Sequence, residues 1–350
     1  MPQISAIATV LNEAGSVCAL VDCLARQTCL PLEIVIVDGG STDGTWEKLQ
    51  QAQAMYPTLR AIRDESCSLK HSPGPIARGR NVAIATARGE IIACADAGCT
   101  YAPDWLERLC APIVKGEAEY ALGGSYIDPK TAGLWDIAAS AFLGVKLRPD
   151  APNKSCTARS MAFTKKMWEQ VGRFPEVSVS GEDAIFDMRM RAATKPAFPR
   201  GAMAQYLPEL SFSSATGRLG WYAASDGALG IRRTRFARMS ARCLAELAAI
   251  SVLWWTLVPL AFVLAVEIYI AYEHDLRTLV SRAPRAILPR FVFSLTVPWV
   301  CAASHIYGMV TKSNLPNTQN AGMEGTGAPA DPVQLSKSAE QQIPRSSSPR

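Results

Sequence analysis

The sequence predicts an α/β protein: a parallel sheet covered on both faces, followed by apolar helices and a polar tail. Three observations carry that reading. Strand-like and helix-like segments alternate over residues 1–130 with short connections, the order that builds parallel sheets. Acidic residues follow successive strand-like segments. Two long runs in the last third hold almost no charge.

Ile4–Val10 is a short apolar run, and Gly15–Arg26 repeats apolar residues at helical spacing. Leu32–Val37 reads as a buried strand because it is rich in β-branched residues. Gly44–Met55 is helical with Asp43 as its N-cap, and Leu59–Arg63 is a third strand. Pro75 starts a helix over Ile76–Ala87, since proline suits the first helical position. Glu90–Ala95 is a fourth strand and Pro103–Val114 a further helix. Residues 131–245 are less regular. Ala158–Thr164 reads as a strand, Lys165–Val171 as a helix, Gly181–Ala193 as an amphipathic helix, and Arg218–Leu229 as another.

The chain has 350 residues, of which 49% are hydrophobic and 19% charged. A charge share below the usual quarter fits a chain that partly meets lipid. Net charge is +5, and Arg232, Arg233, Arg235, Arg238 and Arg242 crowd together just before the longest apolar run. A basic cluster beside such a run reads as a cytoplasmic flank. Nucleic acid is not an expected partner, because the cluster has one aromatic neighbour, Phe236, and no stacking platform. Ten cysteines include no C-x-x-C pair, and the N-terminus has no basic segment of a signal peptide, so a reducing cytosol is expected. Residues 231–247 are expected to form a basic juxtamembrane helix, 248–272 a transmembrane helix, and 286–311 a second transmembrane or interfacial helix. Residues 313–350 lack aromatics and are expected to be disordered.

Ligands of open α/β sheets bind beyond the carboxyl ends of the strands, and the polar residues gather there. Asn12 and Glu13 follow the first strand, Asp38 and the run GGSTDGT the second, and Asp96-Ala97-Gly98 the fourth. Acidic residues at three strand ends point to a binding rim. Ser41 and Asp43 have a second reading as caps of the following helix, and Glu182 and Asp183 as first-turn acids favoured by the helix dipole.

The stretches TVLNE (9–13), VDGGSTDGT (37–45), ARGRNVAIATARGEIIACADAG (77–98), ARSMAFTKKMWEQVGRFPE (158–176) and GEDAIFDMRMRAA (181–193) together resemble the inverting glycosyltransferases of family 2. The likeness spans about residues 4–230 and extends to the C-terminal membrane segment of membrane-anchored bacterial-type members. It implies a GT-A domain over 1–230, a Rossmann-like fold for nucleotide-diphospho-sugar transfer. It further implies cell-envelope polysaccharide or glycolipid synthesis from a UDP- or GDP-linked sugar, at a cytoplasmic membrane with the catalytic domain facing the cytosol. A membrane lipid or lipid-linked acceptor follows from the anchor.

By the same resemblance, Thr9, Asn12, Glu13, Asp38, Ser41 and Asp43 line the nucleotide pocket. Arg78 and Asn81 open the following helix, where Arg78 meets the diphosphate or lies on a solvated face. Asp96 matches the first acid of the family's D-x-D motif and is the expected ligand of Mg2+ or Mn2+, although the third position is Gly98. Asp96 alternatively contacts ribose. Asp183 matches the catalytic base, with Glu182 as its alternative. A non-catalytic sugar-nucleotide-binding scaffold and a nucleotidyltransferase are the competing functions.

Overall fold

The computed structural model describes residues 3–150, 156–253, 264–265 and 283–311, all within one compact unit, Met1–Pro316. Apart from 248–253 and 264–265, the expected span at 248–272 lies outside the described residues, as does the expected tail.

The β-branched segments became strands buried on both faces. β1 (Ile4–Val10) runs through the middle of a six-stranded sheet. α1 (Val17–Ala25) leads to β2 (Glu33–Asp38), and α2 (Thr45–Met55) to β3 (Leu59–Arg63). α3 (Pro75–Thr86), with proline in its first turn, leads to β4 (Ile91–Cys94). The strand order is β3-β2-β1-β4 for this parallel portion, so the chain reverses direction of travel across the sheet between β1 and β4. That reversal opens a crevice at the carboxyl edge. In register, Val10 lies beside Asp38 and Ile7 beside Cys94, which places the loops at Asn12, Gly39 and Asp96 on one rim.

The sheet is mixed rather than wholly parallel. After β5 (Cys99–Tyr101) and α4 (Trp105–Val114) come the short strands β6 (Tyr120–Leu122) and β7 (Ser125–Tyr126), then α5 (Leu134–Ala139). β8 (Met161–Thr164) enters antiparallel between β4 and β6. α6 (Lys165–Gln170) and α7 (Glu182–Ala193) follow, and β9 (Ala204–Tyr206) joins β5 and β7 in a small second sheet. The four residues of β8 fall within the expected strand 158–164, whereas the three of β9 carry too little pattern to be recognised. The cap of α2 also differs: Gly44 occupies it at φ 93°, while Asp43 accepts from the Thr45 N–H at 3.0 Å and the Ala14 N–H at 3.0 Å.

One core lies under α1, α2 and α4, with Trp105 fully buried. The other lies under α3, α6 and α7, where Phe174 and Phe186 stack with ring centres 4.0 Å apart. A third cluster joins α5 to α8 (Phe212–Leu229) and to the C-terminal α10 (Ile287–Val310). α8 starts earlier than expected because Ser211 caps it, accepting from the Ser214 N–H at 3.1 Å. Between them runs α9 (Arg233–Leu253).

α8 and α10 pack almost backbone to backbone. A Cβ on Gly227 would fall 2.2 Å from the His305 carbonyl, and one on Gly308 2.0 Å from that of Ala224. Arg242 of α9 donates to Glu246 at 2.8 Å, and Trp299 of α10 donates to the same carboxylate at 2.6 Å, tying these helices together.

Candidate active site

Asp38 ends β2 fully buried. Its carboxylate accepts from the N–H groups of Gly40 at 3.2 Å and Ser41 at 3.1 Å and from the Ser41 hydroxyl, closing the turn after the strand. Ser41 Oγ in turn accepts from the Asn12 N–H at 2.8 Å, and Asn12 Oδ1 accepts from the Thr42 N–H at 2.9 Å. Asn12 adopts a left-handed φ of 57°, which asparagine tolerates better than most residues. The Glu13 N–H donates to Thr45 Oγ1 at 2.8 Å. The loops after β1 and β2 thus brace one another through the side chains of Asn12, Asp38, Ser41, Asp43 and Thr45. Thr9, near the end of β1, packs against Gly79 so closely that a Cβ there would meet its hydroxyl at 2.1 Å.

On α3, Arg78 donates to Ser66 at 2.9 Å and pairs with Glu176 at 3.2 Å. Asn81 faces inward. Its amide donates to the Phe174 carbonyl and to Glu176, and its oxygen accepts from the Trp168 indole and the Phe174 N–H, at 2.8 to 3.1 Å. All of its donor and acceptor capacity serves the 168–176 segment.

Arg80, on the same helix, joins the rim to α7. Its guanidinium is buried and donates to Glu182 at 2.6 Å and Asp96 at 3.1 Å. Glu182 and Asp183 open α7 because Gly181 turns the chain at φ 90°, a conformation that favours glycine. Successive helical residues point about 100° apart, and here their surroundings differ. Glu182 is buried against Arg80, and burial together with the charge of Asp183 pushes its carboxyl up to about 7, against the pull of Arg80. Asp183 is half-buried, and its carboxylate has no hydrogen-bond or ion-pair partner among the described residues.

Asp96, Glu182 and Asp183 line one cavity of about 510 Å3. Arg159 joins them there, its guanidinium 4.1 Å above the Tyr206 ring. Tyr222 and Trp221 of α8 complete the wall, along with Asp226, Arg232 and Arg235 at the corner between α8 and α9. Thr9, Asn12, Glu13, Asp38, Ser41, Asp43, Arg78 and Asn81 do not line this cavity. A thiol nucleophile is excluded beside Asp96, because burial pushes Cys94 and Cys99 up to about 12. All ten cysteines are free.

A hard divalent cation suits carboxylate oxygen. Asp96 offers one oxygen beyond the one that Arg80 holds, and no group of three His, Cys, Asp or Glu side chains gathers among the described residues. Gly98 adopts a φ of 71° with open space around it and contributes no side chain. The donor set therefore fits a cation that draws its remaining ligands from substrate phosphates and water.

Residues 5–168 match the profile of glycosyl transferase family 2. That match covers just under half of the chain. Glycosyltransferase AglE of Haloferax volcanii is 26% identical over 192 residues, 54% of this chain and 61% of that protein. A PGL/p-HBAD biosynthesis glycosyltransferase of Mycobacterium bovis is 36% identical over 138 residues, 38% of this chain and 50% of that protein. The chain thus spans 50 to 61% of the length of these relatives. The solved mannosyltransferase PcManGT from Pyrobaculum calidifontis, in complex with GDP-Man and Mn2+, matches at a TM-score of 0.62 and 19% identity. That likeness covers 89% of this chain and 88% of that one, and it establishes the GT-A fold.

The paired acids Glu182 and Asp183 were legible as a motif, whereas Arg159 and Arg235 were not singled out for a site. Arg159 lies inside a recognised stretch, ARSMAFT, but nothing in the sequence signals its approach to Tyr206. Arg232 and Arg235 were expected to flank lipid, and both line the cavity.

Proposed function

We propose that the chain is an inverting glycosyltransferase that moves a sugar from a UDP- or GDP-linked donor to a hydroxyl acceptor. The observation that carries this reading is the unpaired Asp183 carboxylate, facing the same cavity as the Arg80-bound Asp96. Transfer with inversion needs a base opposite the leaving group and positive charge on the departing diphosphate. Asp183 takes the proton from the acceptor hydroxyl as that oxygen attacks the anomeric carbon. Glu182 is held by Arg80 and serves to orient it, so the base is Asp183. Arg159 and Arg80 place guanidinium charge beside Asp96, where the diphosphate departs. Bound at Asp96, Mg2+ or Mn2+ supplies further neutralisation of that leaving group. Thr9, Asn12, Glu13, Asp38, Ser41 and Asp43 shape the backbone around the nucleoside.

The acceptor is membrane-proximal or lipid-linked, and the protein works at the cytoplasmic face of a membrane. Among the described residues one helix, Pro284–Val310, is long and apolar enough to cross a bilayer. Its inner face is buried against α8, while Leu288, Ile306, Tyr307 and Val310 are exposed. A helix so divided supports interfacial seating over a full crossing.

The test is nucleoside diphosphate release from a panel of UDP- and GDP-sugars by full-length protein, with Mn2+ or Mg2+ and membrane lipid extract. Release that depends on metal and extract is expected, and it stops in Asp183→Asn. Folded protein that binds a sugar nucleotide but releases nothing would make it a scaffold. Pyrophosphate as product would make it a nucleotidyltransferase.

A further inference from the structure

The corner between α8 and α9 presses on the turn of chain that carries the paired acids. α8 is capped by Gly230 at φ 65°, and two residues later Arg232 adopts φ 52°, a conformation costly for arginine. A Cβ on Gly181, the residue before Glu182, would lie 3.1 Å from Leu229, 3.2 Å from Ile231 and 3.9 Å from Asp226 Oδ1. The strained corner is therefore seated on the first turn of α7. Such strain persists where the surroundings impose it, and Arg232 is tied down by its pair with buried Asp226 at 2.7 Å.

Apart from Asp96, four carboxylates line the cavity, and three are held. Glu182 accepts from Arg80, Asp187 from Arg191 at 2.8 Å and from the Tyr120 hydroxyl, and Asp226 from Arg232. Asp183 has no such donor among the described residues. Opposite charge reaches it without touching it. Partial burial pulls the Arg232 guanidinium down, but the charges of Asp226 and Asp183 outweigh it and raise it above its usual range. The Arg232 side chain is 37% exposed, so water screens part of that attraction. Its donor nevertheless goes to Asp226, which leaves Asp183 a neighbouring charge and not a hydrogen bond.

We infer that Asp226 and Arg232 form a positioning pair for Asp183: Asp226 detains the guanidinium, so that its charge offsets the negative groups around the base and both Asp183 oxygens stay free for the acceptor hydroxyl. Released from Asp226, the same guanidinium would bond Asp183 and occupy the oxygen that takes the proton. The inference rests on the reading of Asp183 as the base, and it requires neither Asp226 nor Arg232 to touch substrate.

The experiment measures kcat, donor KM and urea unfolding for variants of the full chain. Arg232→Gly combined with Asp226→Asn removes the strain and the pair together and leaves no buried charge unpaired, so its urea midpoint is expected at or above that of the wild type. Its kcat should fall about five-fold with donor KM unchanged, the scale of one partly screened charge. Arg232→Lys should retain more activity than that double variant. Asp226→Ala should fall below it, because the freed Arg232 then bonds Asp183. A folded double variant with wild-type kcat overturns the inference, and so does a change confined to donor KM. Arg232→Lys no better than the double variant overturns the role of the charge, and Asp226→Ala at wild-type kcat overturns that of Asp226. Should the double variant not fold, these two single variants decide. Should Asp183→Asn release diphosphate as fast as the wild type, the reading of Asp183 as base falls instead. If the wild type releases none, a urea double-mutant cycle of Arg232→Gly with Asp183→Asn decides, and strictly additive changes overturn the coupling of the two charges.

Discussion

The two halves of the candidate site handle their polar groups in opposite ways. At the rim formed by β1 and β2, Asn12, Asp38, Ser41 and Asp43 satisfy one another and the intervening N–H groups. In the cavity against α7, α8 and α9, Asp183 and Arg235 have no opposite charge at ion-pair distance among the described residues. The motif-rich half is a scaffold of braced turns, and the half with fewer motifs holds the unspent chemistry. A polar residue that recurs in a recognisable pattern can therefore be fixing the backbone, while a reactive one is recognised by what it lacks.

Asp183→Asn gives the largest expected effect, because it removes the free acceptor of a proton. A fall in kcat of about a thousand-fold is expected with donor affinity unchanged, within the usual range for general-base catalysis. Single-turnover product formation and donor titration together measure it. A loss confined to donor affinity would move Asp183 to the braced half and break the contrast.

Glu182 tests the contrast through pH. Burial and the charge of Asp183 push its carboxyl from the ordinary 4.5 up to about 7 in the folded protein. Between those limits the unfolded chain ionises while the folded one holds its proton, so stability falls as pH rises through about 4.5 to 7 and levels off above. The whole change is up to about 3 kcal/mol. Urea unfolding across that window should show the decline, and Glu182→Gln should flatten it. An equal slope in the variant would assign the decline to other groups.

Asp38→Asn should cost about 2 kcal/mol, since a buried acceptor of several hydrogen bonds is weakened and one amide donor is left facing donors. Its urea midpoint should drop at unchanged m-value. A loss of donor affinity without loss of stability would show that Asp38 reads the nucleotide directly.

The smallest effect is at Asn12. Replacement by alanine loses one exposed hydrogen bond and strains a left-handed residue, about 1 kcal/mol, and Asn12→Gly should recover the strain portion. Identical costs for the two variants would mean that the hydrogen bond to Thr42 alone matters.

Much of the fold was legible because its signals are local. The β-branched segments Ile4–Val10, Leu32–Val37 and Glu90–Ala95 are hydrophobic enough to be strands buried on both faces, and proline and glycine punctuate the helices between them. The antiparallel entry of β8 between β4 and β6 was not legible. Strand direction depends on which edge the returning chain meets, and four residues of MAFT are the same in either direction. The cap at Gly44 instead of Asp43 was settled by the Ala14 N–H, which reaches Asp43 from another loop.

By itself, the sequence determined the α/β order, the acidic rim, the Glu182-Asp183 pair and an apolar C-terminal helix, all properties of spacing and composition. Only the tertiary structure decided which acid is held and which is free. That distinction depends on Arg80, more than a hundred residues earlier, reaching Glu182 but not its neighbour. The same holds for Arg232 and Arg235: their charge is written in the chain, but only the packed helices bring them to the wall of the cavity.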